Sequence, residues 1–424
     1  MKKRKRKRKI KKGIIFIIFI LVIIAVLLFI LFGSKNKNDV KNKEVVSDTM
    51  IVLKNLDEAQ KFAKDKGIEL VINYEYSDTV EKDGIISQSV KEGDKLSNVK
   101  EIEIVLSLGK LDKEKLASDK INELGAVPIM MYHGIINKPS SETGNTGGNV
   151  DKDGYNRTSE AFREDLEFYY QNNYRMIRLQ DYIDGNINTE YGKSPIVLTF
   201  DDGNDNNLKV TGLDDKGNII IDENSAVGIL ESFKKKYPDY NVTATFFVNG
   251  TLFNQEEYDE KILKWLVENG YDVGNHTETH LDIKKSSAEK VQSEIGSVYD
   301  KLEEIIPNKY VKIIALPFGS PYSKEHSNYQ YVLKSEYNGK TYETEAALRV
   351  GWEAEVSPFN KDFDKTFLKR IRAYDNNGVD FDIKMNFDIL EKKRYISDGN
   401  AKTIVTSSDN ENIISNNDLE KIYY

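Results

Sequence analysis

The chain is expected to fold as an α/β protein on a parallel sheet, closed or nearly closed on itself, and two features of the sequence predict this. From Val127 onward, short apolar runs of strand length alternate with amphipathic runs of helix length. The residues best suited to chemistry, Asp201, Asp202, His276 and His280, each follow an apolar run. In parallel α/β folds, functional side chains gather at the carboxyl ends of strands. The chain's 424 residues, 39% of them apolar, are enough for two or three domains with ordinary cores. It has no cysteine, which excludes disulfides and thiol chemistry and suits an exported protein of a low-disulfide bacterium.

Taken in order, residues 1–13 are a basic segment with ten Lys or Arg between positions 2 and 12, and Ile14 to Phe32 then run nineteen positions without a polar side chain. At about 1.5 Å per residue that run spans roughly 28 Å, the thickness of a bilayer's hydrocarbon core. It exceeds a usual signal-peptide core, and Leu31 to Lys35 lack a small-x-small cleavage site, so a retained single-pass anchor is expected. The positive-inside rule places the basic segment in the cytoplasm and everything after Ser34 outside, in the cell-wall space. Setting the block's ten charges aside from the net charge of −8 leaves about −18 on the exported part. That argues against DNA, RNA or anionic teichoic polymers as partners and favours a neutral sugar polymer.

After a polar linker, 33–44, residues 45–109 read as a small α+β module. A helix lies near Asp57 to Lys66, with Asp57 as the expected cap and Gly67 as its stop, and strands follow near 69–76, 84–89 and 102–107. A charged, helical bridge, 110–124, leads to the largest domain, 125–400. Within that domain a helix covers 160–172, with Ser159 as its expected N-cap. An insertion, Leu208 to Tyr240, carries a tight turn at Asp214 to Asn218 and then a helix from Ser225 to Lys236, which Pro238 stops. A helix ending at Asn269-Gly270 and the strand Tyr271 to Gly274 deliver the histidines, and Glu289 to Ile306 is a further amphipathic helix. The polar tail, 401–424, is expected to be loosely held.

The chemistry lies in two motifs, Thr199-Phe200-Asp201-Asp202-Gly203 and Asn275-His276-Thr277-Glu278-Thr279-His280. At a strand end two adjacent aspartates point to different sides, so one can bind a metal while the other acts as a base. Histidines spaced i, i+4 stand over one another on a helical turn and can reach one ion. Either motif alone also reads as a plain turn or a structural pair. Together, in a chain with four histidines, they predict a mononuclear divalent-metal site.

These motifs resemble those of the NodB-homology polysaccharide deacetylases, family 4 of the carbohydrate esterases, which carry T-F-D-D-G and H-[ST]-x-x-H. The likeness extends over about 125–400 and includes Val127 to His133 and the strand Ala244 to Val248. The resemblance implies a distorted (β/α) barrel in which Asp202, His276 and His280 hold Zn, or else Co or Mn, with Asp201 as general base and the backbone N–H of Phe318 at the oxyanion. Residues 45–109 resemble a PASTA domain through Gly84 to Gly93 and the terminal strand Val105 to Gly109, with Val90 in place of the usual Pro. Such modules either associate with peptidoglycan or serve as spacers.

The second half departs from the family pattern. Ala315 stands where the third motif carries an Arg that orients the catalytic Asp, and no histidine follows His326 to serve as the usual proton donor. His326, His133 and a water are the candidate donors. His326 also reads as a solvated surface residue, and His133 as a substrate contact or a core histidine. Trp352 is a candidate sugar platform, or simply core. Arg349, Glu353 and Glu355 are candidates to replace the missing partner of Asp201, with Arg349 supplying the cation. The expected activity is removal of N-acetyl groups from N-acetylglucosamine or N-acetylmuramic acid of peptidoglycan, which would protect the wall against lysozyme. The alternatives are an O-acetyl esterase on the same polymer and a glycan-binding protein without catalysis.

Overall fold

The computed structural model describes residues 49–424, so the basic segment 1–13, the apolar span 14–32 and the linker 33–44 lie outside the described residues. Among the described residues no helix is long and apolar enough to cross a membrane. The described chain divides into two units. In the first, residues 49–52 meet 90–99: Thr49 bridges Lys95, and Met50 exchanges backbone hydrogen bonds of 2.8 and 2.9 Å with Asp94 and Gly93.

The second unit, residues 53–89 and 100–424, begins with the helix Leu56–Lys66. Its cap is Asn55 rather than the expected Asp57: the Asn55 Oδ1 accepts from the Glu58 N–H at 2.9 Å, while Asp57 stands two residues too far in, within the first turn at the helix's positive end. Gly67, at φ +65°, ends it as expected. Three strands follow, β1 (Glu69–Glu75), β2 (Ile85–Gln88) and β3 (Glu101–Ser107), in the order β1-β3-β2, with β1 parallel and β2 antiparallel to β3. Ile102, Ile104 and Leu106 alternate inward along β3, the period a half-buried strand requires.

The large sheet has eight strands: β4 (Ile129–Tyr132), β5 (Tyr174–Met176), β6 (Ser194–Phe200), β7 (Thr245–Val248), β8 (Asp272–Asn275), β9 (Ile313–Ala315), β10 (Ala346–Leu348) and β11 (Ile371–Arg372). Their order is β10-β9-β8-β7-β6-β4-β11, with β5 on the flank of β6, and every pairing is parallel. The sheet curls until its edges meet at isolated bridges, Leu348 with Leu368 and Trp352 with Ile371, and not through a continuous ladder. The barrel is therefore open and half closed. β4, β6, β7, β8 and β9 are buried throughout, as strands covered on both faces must be. Register sets Phe200 beside Tyr132 and Phe246, whose rings stack on it at 5.3 and 4.9 Å. This aromatic layer lies just below the carboxyl ends of the strands.

The inserted hairpin forms as expected, Val210–Leu213 against Ile219–Ile221, with Asp214 Oδ1 accepting the N–H groups of Lys216 and Asn218 in the turn. Ser225 caps the helix Ala226–Lys236. The helix Ser159–Gln171 is capped by Thr158 and not by Ser159, whose hydroxyl instead donates to the Asn224 carbonyl at 2.6 Å.

The tail corrects its expectation. Thr403–Thr406 is a buried strand pairing in parallel with Glu420–Tyr423, and Val405 and Ile422 pack on Leu116 and Ile121 of the presumed bridge. Polar composition hid the few apolar residues, Ile404, Val405 and Ile422, that the two strands bury. Glu123 ties this arrangement together by accepting from the Val405 N–H and the Tyr395 hydroxyl, both at 2.9 Å. Burial, and then the nearby Asp398 carboxylate, push its carboxyl well above the ordinary value. Glu123→Ala leaves those buried donors unmet and is expected to cost about 2 kcal/mol in a denaturant titration, with Glu123→Gln costing less.

Candidate active site

Strand β6 fixes the paired aspartates. The Thr199 hydroxyl donates to the Met130 carbonyl at 2.7 Å, and the Asp201 N–H donates to the Tyr132 carbonyl at 2.9 Å, so the chain is held to β4 up to its last extended residue. Asp202 then turns left-handed at φ +77° and Gly203 follows at φ +60°. A Cβ at Gly203 would lie 2.0 Å from the Leu252 carbonyl oxygen, so only glycine fits this turn. The turn sends the two carboxylates apart.

Asp201 is buried and meets Arg370, the residue just before β11, in a two-pronged pair of 2.8 and 2.7 Å. Arg370 also donates to Thr199 Oγ1 and to the Arg349 carbonyl, both at 3.1 Å, and is itself fully buried. Burial alone would raise the Asp201 carboxyl, but the Arg370 guanidinium and the His276 ring outweigh it and hold the group well below the usual carboxylate range. Asp201 is thus ionised at neutral pH.

Asp202 faces His276 and His280. Its Oδ1 lies 3.3 Å from His276 Nε2 and 3.5 Å from His280 Nε2, and the three ligand atoms fall within 4.8 Å of one another. The two histidines do not share a helical turn. His276 continues β8, whereas Thr277 and His280 are left-handed, at φ +63° and +57°, and fold the loop back. The loop is held by Asn275, whose Oδ1 accepts the Thr277 N–H at 2.8 Å, and by buried Glu294, which accepts the Thr279 N–H at 2.7 Å and its hydroxyl at 2.8 Å. His276 Nδ1 pairs with the Ala315 carbonyl at 2.8 Å, which places the proton on Nδ1 and leaves the Nε2 lone pair facing Asp202. That Nε2 is buried without a hydrogen-bond partner. Two imidazole nitrogens and one carboxylate oxygen, one nitrogen otherwise orphaned, fit a divalent cation of the Zn, Co or Mn type.

The cleft over these groups has a volume of about 400 Å³, and its walls include His133, Tyr155, Phe318 and Val350. A larger cavity, about 520 Å³, lies between β1 and the Arg178 region, but no histidine lines it. His133 follows β4. Its loop is tied to the aspartate loop by Asn207 Nδ2, which donates to the His133 carbonyl at 2.7 Å, and by Asn206 Oδ1, which accepts the Ile135 N–H at 2.7 Å. His133 Nδ1 is buried and unpartnered, and burial lowers the ring's pKa against the opposing pull of Asp201 and Asp202. Phe318, left-handed at φ +58°, presents an exposed ring that meets His280 edge-on at 4.5 Å.

Several candidates stand elsewhere. His326 lies outside the cleft wall on a polar loop, where its Nδ1 accepts the Asn328 N–H at 3.2 Å, so it is not placed as a proton donor. Trp352 is also outside the wall and 60% exposed. The Arg349 guanidinium stacks on Phe367 at 5.1 Å, and Glu353 and Glu355 bind Lys369 side-chain and backbone N–H groups, so none of the three orients Asp201. The sequence reading missed Arg370 and Glu294. Glu294 had a visible signal, a carboxylate on the same helical face as Val291, Ile295 and Val298. Arg370 had none that local sequence carries, because its partner is remote in the chain.

Residues 188–335 match the polysaccharide deacetylase family, and residues 51–108 match the PASTA domain. The chain thus carries a polysaccharide deacetylase domain and a PASTA domain. A curated relative, an uncharacterized 30.6 kDa protein from Geobacillus stearothermophilus, is 32% identical over 127 residues, 30% of this chain. The match spans 39% of that relative's length. Among solved structures, the Streptococcus pyogenes deacetylase PplD in complex with acetate is similar at 20% identity and a TM-score of 0.42, covering 59% of this chain and 93% of its own. The peptidoglycan deacetylase PdaC from Bacillus subtilis is similar at 26% identity and a TM-score of 0.23, covering 32% of this chain and 55% of its own.

Arg370→Gln strands Asp201 as a buried unpaired charge and is expected to lower stability by about 3–5 kcal/mol in denaturant unfolding. Adding Asp201→Asn to it should restore much of that loss, because the strain comes from the unpaired carboxylate.

Proposed function

We propose that this chain is a metal-dependent deacetylase that removes N-acetyl groups from amino sugars of peptidoglycan. The observation that carries the reading is the division between the two aspartates: Asp202 joins His276 and His280 in a metal-type cluster, while Asp201 is kept ionised by Arg370 beside it. The PASTA match fits a wall glycan as the polymer, and the apolar run Ile14 to Phe32 fits a retained anchor that places the catalytic domain in the wall space.

A bound divalent ion would supply Lewis-acid polarisation of the acetamide carbonyl and an acidified water. Asp201 accepts a proton from the attacking water. The Phe318 backbone N–H is assigned to the developing oxyanion. His133, the cleft-lining ring whose Nδ1 is otherwise unspent, is assigned to deliver a proton to the leaving nitrogen as the C–N bond breaks. Acetate and a free amine result.

A non-catalytic, glycan-binding reading rested on the missing third-motif Arg and the missing late histidine. Arg370, paired with Asp201, and His133, in the cleft wall, offer a cation and an imidazole for those two tasks, which supports the catalytic reading.

The test is to incubate the purified protein with Zn and with peptidoglycan or chitooligosaccharide, and to count released acetate and new amines. Equal amounts of both, abolished by Asp201→Asn, are expected. Acetate without amine would make the protein an O-acetyl esterase, and neither product would end the catalytic reading. His133→Ala should lower kcat by roughly 10²–10⁴ with metal content unchanged, as loss of a proton donor does. His276→Ala should lose the metal as well, measured by elemental analysis of the dialysed protein.

A further inference from the structure

We infer that Arg372 forms a subsite for a carboxylate carried by the substrate beside its acetamide, the position that the lactyl ether fills in a muramic sugar whose peptide stem has been removed; the inference rests on the deacetylase reading and specifies its substrate. Side chains two apart on a strand share a face, so Arg372 rises on the same face as Arg370, about 6–7 Å nearer the mouth of the sheet. Its register partner is Met131, two residues before His133. The guanidinium carbon stands 4.0 Å from the centre of the Tyr374 ring and 5.2 Å from that of Tyr155. Tyr155 is a wall of the cleft, and its ring meets His133 edge-on at 5.1 Å.

The guanidinium lies over both rings, and its N–H groups are left unspent. Among the described residues the Arg372 guanidinium makes no hydrogen bond and no ion pair, although the residue is half-buried and its carbonyl accepts the Tyr374 N–H at 3.0 Å. The acids on neighbouring loops are engaged elsewhere. Asp151 accepts from the Tyr155 and Asn156 N–H groups at 3.0 and 2.7 Å, Asp375 from Asn377 at 3.0 Å, and Asp380 from Asn376 at 2.8 Å. A planar cation fixed by aromatic stacking, with a free edge, is suited to two-pronged recognition of a carboxylate. The lactyl group is on the sugar carbon next to the one bearing the acetamide, so a sugar stacked on Tyr155 brings its carboxylate to Arg372 while the acetamide lies over the metal-type cluster. Arg372 stands behind the wall residue Tyr155, and in an acidic protein one uncompensated guanidinium beside the cleft also offsets the repulsion an anionic sugar would meet.

The test measures equilibrium binding, by calorimetry, of a peptidoglycan disaccharide with its lactyl carboxylate intact and with that carboxylate reduced to the alcohol, to the wild-type protein and to Arg372→Gln. Wild type is expected to prefer the intact sugar by roughly ten- to a hundredfold, the size of a charge-assisted contact, and Arg372→Gln to lose that preference while Arg372→Lys keeps part of it. No preference in the wild type, or a preference that survives Arg372→Gln, would overturn the subsite. Equal, Arg372-dependent preference for a hexuronate disaccharide would overturn the muramic assignment. Acetate release is read in the same samples. Arg372-dependent binding without acetate would leave the subsite standing and remove the deacetylase reading instead.

Discussion

The buried pair between Asp201 and Arg370 is the constraint on which the site depends. A carboxylate taken out of water costs several kcal/mol unless a cation meets it with good geometry, and here both oxygens are met at hydrogen-bond distance. The pair keeps Asp201 ionised and turned away from its neighbour, and it is Asp202 whose carboxylate faces the two histidines. It also joins strands that are not adjacent: Arg370 leads into β11, Asp201 follows β6, and β4 runs between them. The curl of the sheet is what allows an arginine from an edge strand to reach the aspartate.

Around this pair, the rest of the site is held by backbone shape and by buried amides. Asp202, Thr277, His280 and Phe318 all adopt left-handed backbone, which costs about 1–3 kcal/mol at each non-glycine position. That strain persists because the surroundings fix it: Asn275 and Glu294 bind the histidine loop, Asn206 and Asn207 bind the His133 loop to the aspartate loop, and Gly203 sits against Leu252. The cleft side chains are therefore held in place, and under the proposed function little ordering would be left for the binding step.

Much of this was legible in the chain. Apolar runs with turn residues after them located the parallel strands, and the spacing of Asp201, Asp202, His276 and His280 located the cluster, because both signals are local. Ser225 and Gly67 mark helix ends as their chemistry requires. The caps expected at Asp57 and Ser159 and the helical turn expected for the histidine pair failed locally, whereas the readings of Arg349 and His326 failed on contacts far apart in sequence. Arg349 and Arg370 are both arginines near strand ends, and only the curl of the sheet decides which one lies under Asp201. His326 and His133 are likewise indistinguishable until the cleft shows which one lines it. The tail was misread because its polar residues outnumber the few apolar ones that make it a strand pair with Leu116 and Ile121.

The most direct measurement is a crystal structure of the protein grown with Zn or Co, with the ion located by anomalous scattering. The account predicts one ion about 2.0–2.2 Å from a carboxylate oxygen of Asp202 and from the Nε2 atoms of His276 and His280, with Asp201 off the metal and still paired to Arg370. An ion bound by Asp201, or Arg370 swung away from that carboxylate, would contradict the division of labour between the two aspartates.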